Sequence, residues 1–283
     1  MQMFNTIKLS KGGMSLGLVS SGVIVLLVLS FLVPLVVDLD PYRLSDNLRA
    51  SIGLWNGSGP VLGTDDLGRD VLARLVYGAR NSVGIGLAVV LVSMSVGVPL
   101  GLFAGVYGGW IDKIIMRVTG ILMTLPNILL AIVIVSVLGA GLLTAMCAAT
   151  VVAIPGFIHI VRSISALEMK RQYVHAARTS GDSTLRILWT EVLPNCWVPI
   201  VAQATLGFGA AILNIAALDF LGLGAKPPMA EWGAMLADAR PFIESNPNLI
   251  VLPGLSLAAT ILGFTLLGDS LQQWLNPRTG VHQ

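Results

Sequence analysis

Residues 162–197, RSISALEMKRQYVHAARTSGDSTLRILWTEVLPNCW, are a polar interruption in a chain that is otherwise mostly apolar. They carry five of its seventeen Lys and Arg residues: Arg162, Lys170, Arg171, Arg178 and Arg186. Gly181 divides the stretch into two short helices. Helices that only sit in lipid have no use for such a loop, so something beside the membrane is expected to grip it.

The surroundings of this loop set the fold class. Of 283 residues 55% are hydrophobic and 11% charged, and the mean hydropathy is +0.83. These values describe an all-α polytopic membrane protein rather than a pair of soluble domains. A spanning helix needs about 20 apolar residues, because a rise of about 1.5 Å per residue has to cross a hydrocarbon core of about 30 Å. Six transmembrane segments meet this: Leu16–Val37, Val83–Val106, Val118–Leu138, Leu142–Val161, Cys196–Leu218 and Leu249–Gly268, none of which contains Asp, Glu, Lys or Arg. The first is too long for a signal-peptide core and no small-x-small site precedes Asp38, so it is expected to stay as an uncleaved span. Residues 1–82 are then a tail, the first span and an extracytoplasmic loop; 83–273 are the core with the loop 162–197; 274–283 are a cytoplasmic tail.

Orientation follows from the basic residues. With both termini inside, the inner face collects Lys8, Lys11, Lys113, Arg117, Arg278 and the five of the loop, ten against seven outside. The outer stretch 38–82 is the exception, with Arg43, Arg49, Arg69, Arg74 and Arg80 offset by Asp38, Asp40, Asp46, Asp65, Asp66 and Asp70.

Every span holds one proline (Pro34, Pro99, Pro126, Pro155, Pro199, Pro253), which predicts kinks. These suit bent helices around a cavity that opens and closes, or are prolines of ordinary membrane helices. Gly84, Gly86, Gly97, Gly101 and Gly105 mark the second span as one that packs closely. Asn127, Gln203 and Asn214 are the polar residues nearer mid-span, candidates for the substrate pathway or for polar contacts between helices. Asp219 and Asp269 fall at helix ends within reach of water, which argues against a proton-coupled carrier. Cys147 and Cys196 lack metal-ligand spacing and read as buried, inert thiols. Three scattered histidines (His159, His175, His282) supply no site for a membrane-embedded enzyme, and there is no metal-ligand cluster.

In the outer stretches, Asp65 or Asp66 is expected to cap a helix with apolar face Leu67, Val71 and Leu75. A Gly/Pro-rich turn precedes a short amphipathic helix around Trp232–Ala239, with Trp232 as an interfacial anchor. Both stretches suit substrate gating or a helix lying on the bilayer surface. In the loop 162–197 a polar helix continues the fourth span to near Ser180. Gly181 closes it at the C′ position, and Asp182 or Ser183 caps the next helix. Leu185, Leu188, Trp189 and Val192 form one apolar stripe, and Pro194 ends that helix. Such a hairpin docks into a partner's groove or rests on lipid headgroups.

At this loop the sequence resembles the permease subunits of ABC importers, whose signature is EAA, three residues, Gly, nine residues, I-x-LP. The corresponding residues are His175-Ala176-Ala177, Gly181 and Glu191-Val192-Leu193-Pro194; the spacing is intact and the Glu and Ile positions are replaced by His175 and Glu191. LGTDDLGRDVLARLVYGAR, IIMRV at 114–118, YVHAAR at 173–178, FLGLGAKPPMAEWGAMLADAR and GDSLQQWLNPR at 268–278 are similar to the dipeptide/oligopeptide/nickel group, in its "C" type subunit. The resemblance implies a type I (MetI-like) permease that forms half of a pathway for di- or oligopeptides, or for nickel or a metal chelate. Its implied partners are a second homologous permease, two ATP-binding subunits, an extracytoplasmic substrate-binding protein and bilayer lipid, without nucleic acid. Tyr173, His175, Ala176, Ala177, Gly181, Glu191, Leu193 and Pro194 are its implied ATPase-coupling residues. No G-x-x-x-x-G-K-[ST] loop is present, so ATP and Mg are expected on the partners, with no cofactor and no catalytic residue in this chain. An ion-coupled secondary transporter is the rival; it calls for an intramembrane acid or inverted repeats. The expected location is the bacterial inner membrane.

Overall fold

A computed structural model describes residues 60–275, together with 28, 32, 40–45 and 48–49. The expected first span Leu16–Val37 lies, but for residues 28 and 32, outside the described residues, as do Arg278 and the end of the tail. The described chain is helical: α1 (Val71–Tyr107), α2 (Gly109–Met123), α3 (Asn127–Leu138), α4 (Leu142–Glu168), α5 (Gln172–Thr179), α6 (Thr184–Phe220), α7 (Trp232–Ala239) and α8 (Asn248–Leu275). Helices α1, α4, α6 and α8 are long and apolar enough to cross a membrane, and α2 and α3 count as a fifth crossing if the bent pair is taken as one broken span.

That fifth crossing is not the single span expected over Val118–Leu138. The chain bends by 91° between α2 and α3, where Pro126 takes an extended conformation (φ −55°, ψ 136°) directly before α3. Proline lacks the N–H needed to continue the ladder and clashes with the preceding turn; here it breaks the helix outright. Pro99, Pro155, Pro199 and Pro253 stay inside α1, α4, α6 and α8.

The bundle is built on α1 against α4, with α6 and α8 around them. A Cβ on Gly97 would stand 2.6 Å from Phe157, one on Gly101 2.8 Å from Val161, and one on Gly105 would overlap the Ser165 hydroxyl. Gly86 meets Ile212 on α6 in the same way, at 2.6 Å. Small residues at four-residue spacing thus bring the two backbones together. Gly84 is the exception, with open space around it.

At one end, α1 starts earlier than the apolar run. Its N-cap is Asp70, whose carboxylate accepts the Leu72 N–H at 2.8 Å, rather than Asp65 or Asp66. Asp65 instead accepts the N–H groups of Leu67 and Arg69 and pairs with the Arg69 Nε at 2.6 Å. Arg74, 2% exposed, lies between Asp65 at 3.5 Å and Asp238 at 3.7 Å. Burial raises the Asp238 carboxyl above its ordinary range, while Arg74 and Arg69 pull it back. Two of the five basic residues that strained the charge count are therefore buried in ion pairs.

Helix α7 occupies the expected residues, but Trp232 is no interfacial anchor. It is buried at 3% exposure in the core formed by Leu75, Ile215 and Met235, and its indole N–H donates to the Leu75 carbonyl at 3.1 Å. Asp219 is also sealed away, at 1% exposure, whereas Asp269 is exposed. The segment from Asp219 to Glu231 folds back over the bundle and takes Asp219 out of the water's reach. Of the two thiols, Cys196 is buried as expected and Cys147 is exposed.

Candidate functional site

At the other end of the bundle the loop 162–197 folds into a seated hairpin. Helix α4 stops at Glu168 and a turn at Met169–Arg171 separates it from α5, so the polar helix is not a simple continuation of the span. Helix α5 closes at Gly181. Gly181 has φ +91°; its N–H donates to the Arg178 carbonyl at 3.1 Å and the Asp182 N–H to that of Ala177 at 3.1 Å. This pair of bonds is a Schellman closure, which favours glycine because a left-handed residue with a Cβ is strained. Ser183, of the two expected candidates, caps α6 by accepting the Arg186 N–H at 3.3 Å.

The second helix does not end at Pro194. It runs on through Phe220, and the residues ahead of the proline widen into a π-turn, Leu188–Val192. The extra residue re-phases the helix. Ile187, Val192, Cys196 and Ile200, spaced five, four and four, are all fully buried. The single stripe of Leu185, Leu188, Trp189 and Val192 is thereby split. Leu188 and Val192 turn inward, while Leu185 and Trp189 are left 51% and 48% exposed.

The inward side chains root the hairpin. Val174, Ile187, Leu188 and Val192 pack with Leu102 and Val106 of α1 and Val161 of α4. Each such burial is worth about 1.5–3 kcal/mol relative to exposure, so the hairpin moves only with the ends of the spans beneath it. A polar chain reinforces this. The Tyr173 hydroxyl donates to Glu168, and the Asn195 amide donates to the Tyr173 oxygen at 3.1 Å and to the Glu191 carbonyl at 2.6 Å. Burial, with help from the Glu168 hydrogen bond, pushes the Tyr173 phenol up to about 12. The roles of Glu168 and Asn195 in this chain of bonds depend on the fold of the hairpin.

The expected coupling residues therefore divide by position. His175, Ala176, Gly181 and Pro194 are exposed, together with Leu185 and Trp189, and Ala177, Glu191 and Leu193 are half-buried at the base. Tyr173 sits at 37% exposure, joining the two groups.

Within the bundle, Asn127, Gln203 and Asn214 meet in one cleft of about 160 Å³, although they come from α3 and from two positions of α6 eleven residues apart. The broken α2–α3 junction supplies Leu122, Met123 and Asn127; α4 supplies Pro155, Gly156 and Phe157. A Cβ on Gly156 would stand 2.8 Å from the Gln203 Nε2, so the glycine makes room for that amide. The lining carries amides and apolar groups and no charged side chain.

Residues 97–281 match the family model described as "Binding-protein-dependent transport system inner membrane component". The chain is 40% identical over 259 residues to the dipeptide transport system permease protein DppC of Haemophilus influenzae, covering 90% of this chain and 88% of that one. It is 47% identical to DppC of Alkalihalophilus pseudofirmus over 76% of this chain and 71% of that protein. The glutathione transport system permease protein GsiD of Pectobacterium atrosepticum is 38% identical, covering 90% and 84%. Among solved structures, a chain of the MetNI methionine ABC transporter in an inward-facing form has the same fold. Its TM-score is 0.60 at 19% identity, covering 72% of this chain and 97% of that one.

Proposed function

The chain belongs to the binding-protein-dependent transport system inner membrane component family, and from this membership we propose that it carries short peptides through the cleft of Asn127, Gln203 and Asn214. It is a multi-pass permease subunit of an ABC importer and not itself an enzyme, working with ATPase and substrate-binding partners. The convergence of three amides from two helices in one uncharged cleft carries the reading. Amides donate and accept at once, which suits the alternating N–H and C=O groups of a peptide whatever its side chains. Relatives named for dipeptide and glutathione transport support the same class.

The hairpin is the coupling element. Its exposed rim of His175, Ala176, Leu185 and Trp189 docks on an ATPase, so this end of the bundle faces the cytoplasm, and the excess of basic residues on that side supports both termini there as well. A second homologous permease completes the pathway, and one ATPase docks on each hairpin. Movement of the rooted hairpin shifts the ends of α1 and α4 and re-aims the helices around the cleft.

Uptake of labelled dipeptide tests the pathway. Asn127→Ala, Gln203→Ala and Asn214→Ala are each expected to lower uptake about fivefold, the loss of one hydrogen bond of about 1 kcal/mol, at normal subunit assembly. Unchanged uptake in all three variants contradicts the assignment.

A further inference from the structure

The segment joining α6 to α7, DFLGLGAKPPMAEWG from Asp219 to Gly233, has an acid at each end of a Gly/Pro-rich strap. Both acids are 1% exposed. Asp219 Oδ1 accepts the Ala225 N–H. Glu231 accepts the Ser82 hydroxyl of α1 at 2.6 Å through Oε1 and the Ala234 N–H at 2.9 Å through Oε2. Glu231 stands beside the last turn of α6, since a Cβ on Gly233 would meet both Glu231 Oε2 and Ala216, three residues before Asp219; Asp219 Oδ2, fully buried, finds no donor. The backbone is fitted around the pair: a Cβ on Gly224 would overlap Asp219 Oδ1, and one on Gly233 would stand 2.9 Å from Glu231 Oε2.

Among the described residues no counter-ion accompanies them. The ionisable groups toward this end of the surrounding elements are Arg74, Tyr77 and Arg80 on α1, Cys147 on α4, Lys226 in the strap, Asp238 on α7, Arg240 after it and Glu244 before α8; Tyr107, His159, Arg162, Glu168 and Asp269 lie further along α1, α4 and α8. Arg74 is held by Asp65 and Asp238, and Arg240 lies 3.9 Å over the Phe220 ring. Among the described residues no ion pair reaches Asp219 or Glu231. Two ionised carboxylates in contact, out of water and without a cation, repel each other too strongly to persist; such pairs keep one proton in common.

We propose that Asp219 and Glu231 form a proton-binding site, in which one proton bridges the two buried carboxyls and fastens the far end of the strap to the end of α6. The bridging O–H supplies the donor that Asp219 Oδ2 lacks, and the Ser82 hydroxyl and the two backbone N–H groups stabilise the remaining single charge. Further bonds run along the strap, from the Asn81 amide to the Ala230 carbonyl at 2.6 Å and from the Gly141 N–H to the Leu223 carbonyl at 3.0 Å. Loss of the proton sets two charges against each other and loosens the strap. Its placement on the extracytoplasmic side rests on the orientation proposed above; the proton site itself does not.

Infrared spectroscopy of the intact transporter in lipid nanodiscs tests this through the carbonyl stretch of a protonated carboxyl. The expected result is a band at neutral pH that disappears as pH rises and is absent from both Asp219→Asn and Glu231→Gln. The folded state then keeps a proton that the unfolded state releases at the ordinary carboxylate value of about 4, so stability falls as pH rises from there through neutral. The unfolding equilibrium shifts about tenfold per pH unit toward the unfolded state until the folded pair itself deprotonates. The absence of any such band in the wild type, or a band that both variants retain, overturns the proposal. So does stability that is flat with pH or that depends on added sodium or calcium, the sign of a metal cation in the proton's place. The wild-type pH dependence decides the matter even where the variants do not assemble. A failed search for peptide transport leaves these outcomes untouched.

Discussion

Asn195 donates its side-chain amide to the Tyr173 hydroxyl across 3.1 Å, joining the first helix of the hairpin to the helix that becomes a membrane span. The contact ties α5 to the first turns of α6. Tyr173→Phe removes the link and the donor to Glu168 while leaving the ring in place. Coupling is expected to weaken, with ATP-driven uptake falling about fivefold for a loss of about 1 kcal/mol and subunit yield unchanged.

The same tyrosine predicts an alkaline transition. Its phenol is raised to about 12, so its stabilising contribution is complete below the ordinary tyrosine value of about 10. It is lost as pH climbs through about 12. Difference absorbance between wild type and Tyr173→Phe should show this phenolate forming only at the top of that window; ionisation near the ordinary value contradicts the hydrogen-bonded geometry.

Gly181 sits at φ +91° with open space where a side chain would go. The obstacle to substitution is thus conformational. Gly181→Val is expected to cost about 1–3 kcal/mol locally, opening the Schellman closure and reducing ATPase co-purification without impairing membrane insertion. Gly181→Asn, which tolerates the left-handed region better, should retain most of the binding.

Close approach of α1 to α4 makes the opposite prediction for neighbouring glycines. Gly105→Val meets Ser165 and the Arg162 carbonyl and is expected to destabilise by about 1–3 kcal/mol through overpacking. Gly84→Ala, in open space, should leave thermal stability in detergent unchanged.

Much of this architecture was legible in the sequence because it rests on local rules. The run 142–161 and the glycine at 181 follow from helix length and left-handed backbone, and α4 and the Schellman closure stand where those rules place them. What escaped depends on tertiary context. A proline was expected to kink the third span, but whether Pro126 bends or breaks it is decided by the contacts of α2 and α3. The π-turn before Pro194 has no composition signal, so the sequence does not show that Leu188 and Val192 part from Leu185 and Trp189. Asp219 has the sequence surroundings of a solvated helix end; only the strap above it makes it a buried acid. Asn127, Gln203 and Asn214 were chosen for polarity alone, and their meeting in one cleft is information that only the fold supplies.

Affinity purification in mild detergent followed by reconstitution tests whether the hairpin couples this permease to ATP hydrolysis on separate subunits. Recovery of a second permease and two ATPases, with peptide uptake that requires ATP and is lost in Gly181→Val, is the predicted result. Recovery of this chain alone, transporting down an ion gradient without ATP, contradicts the account.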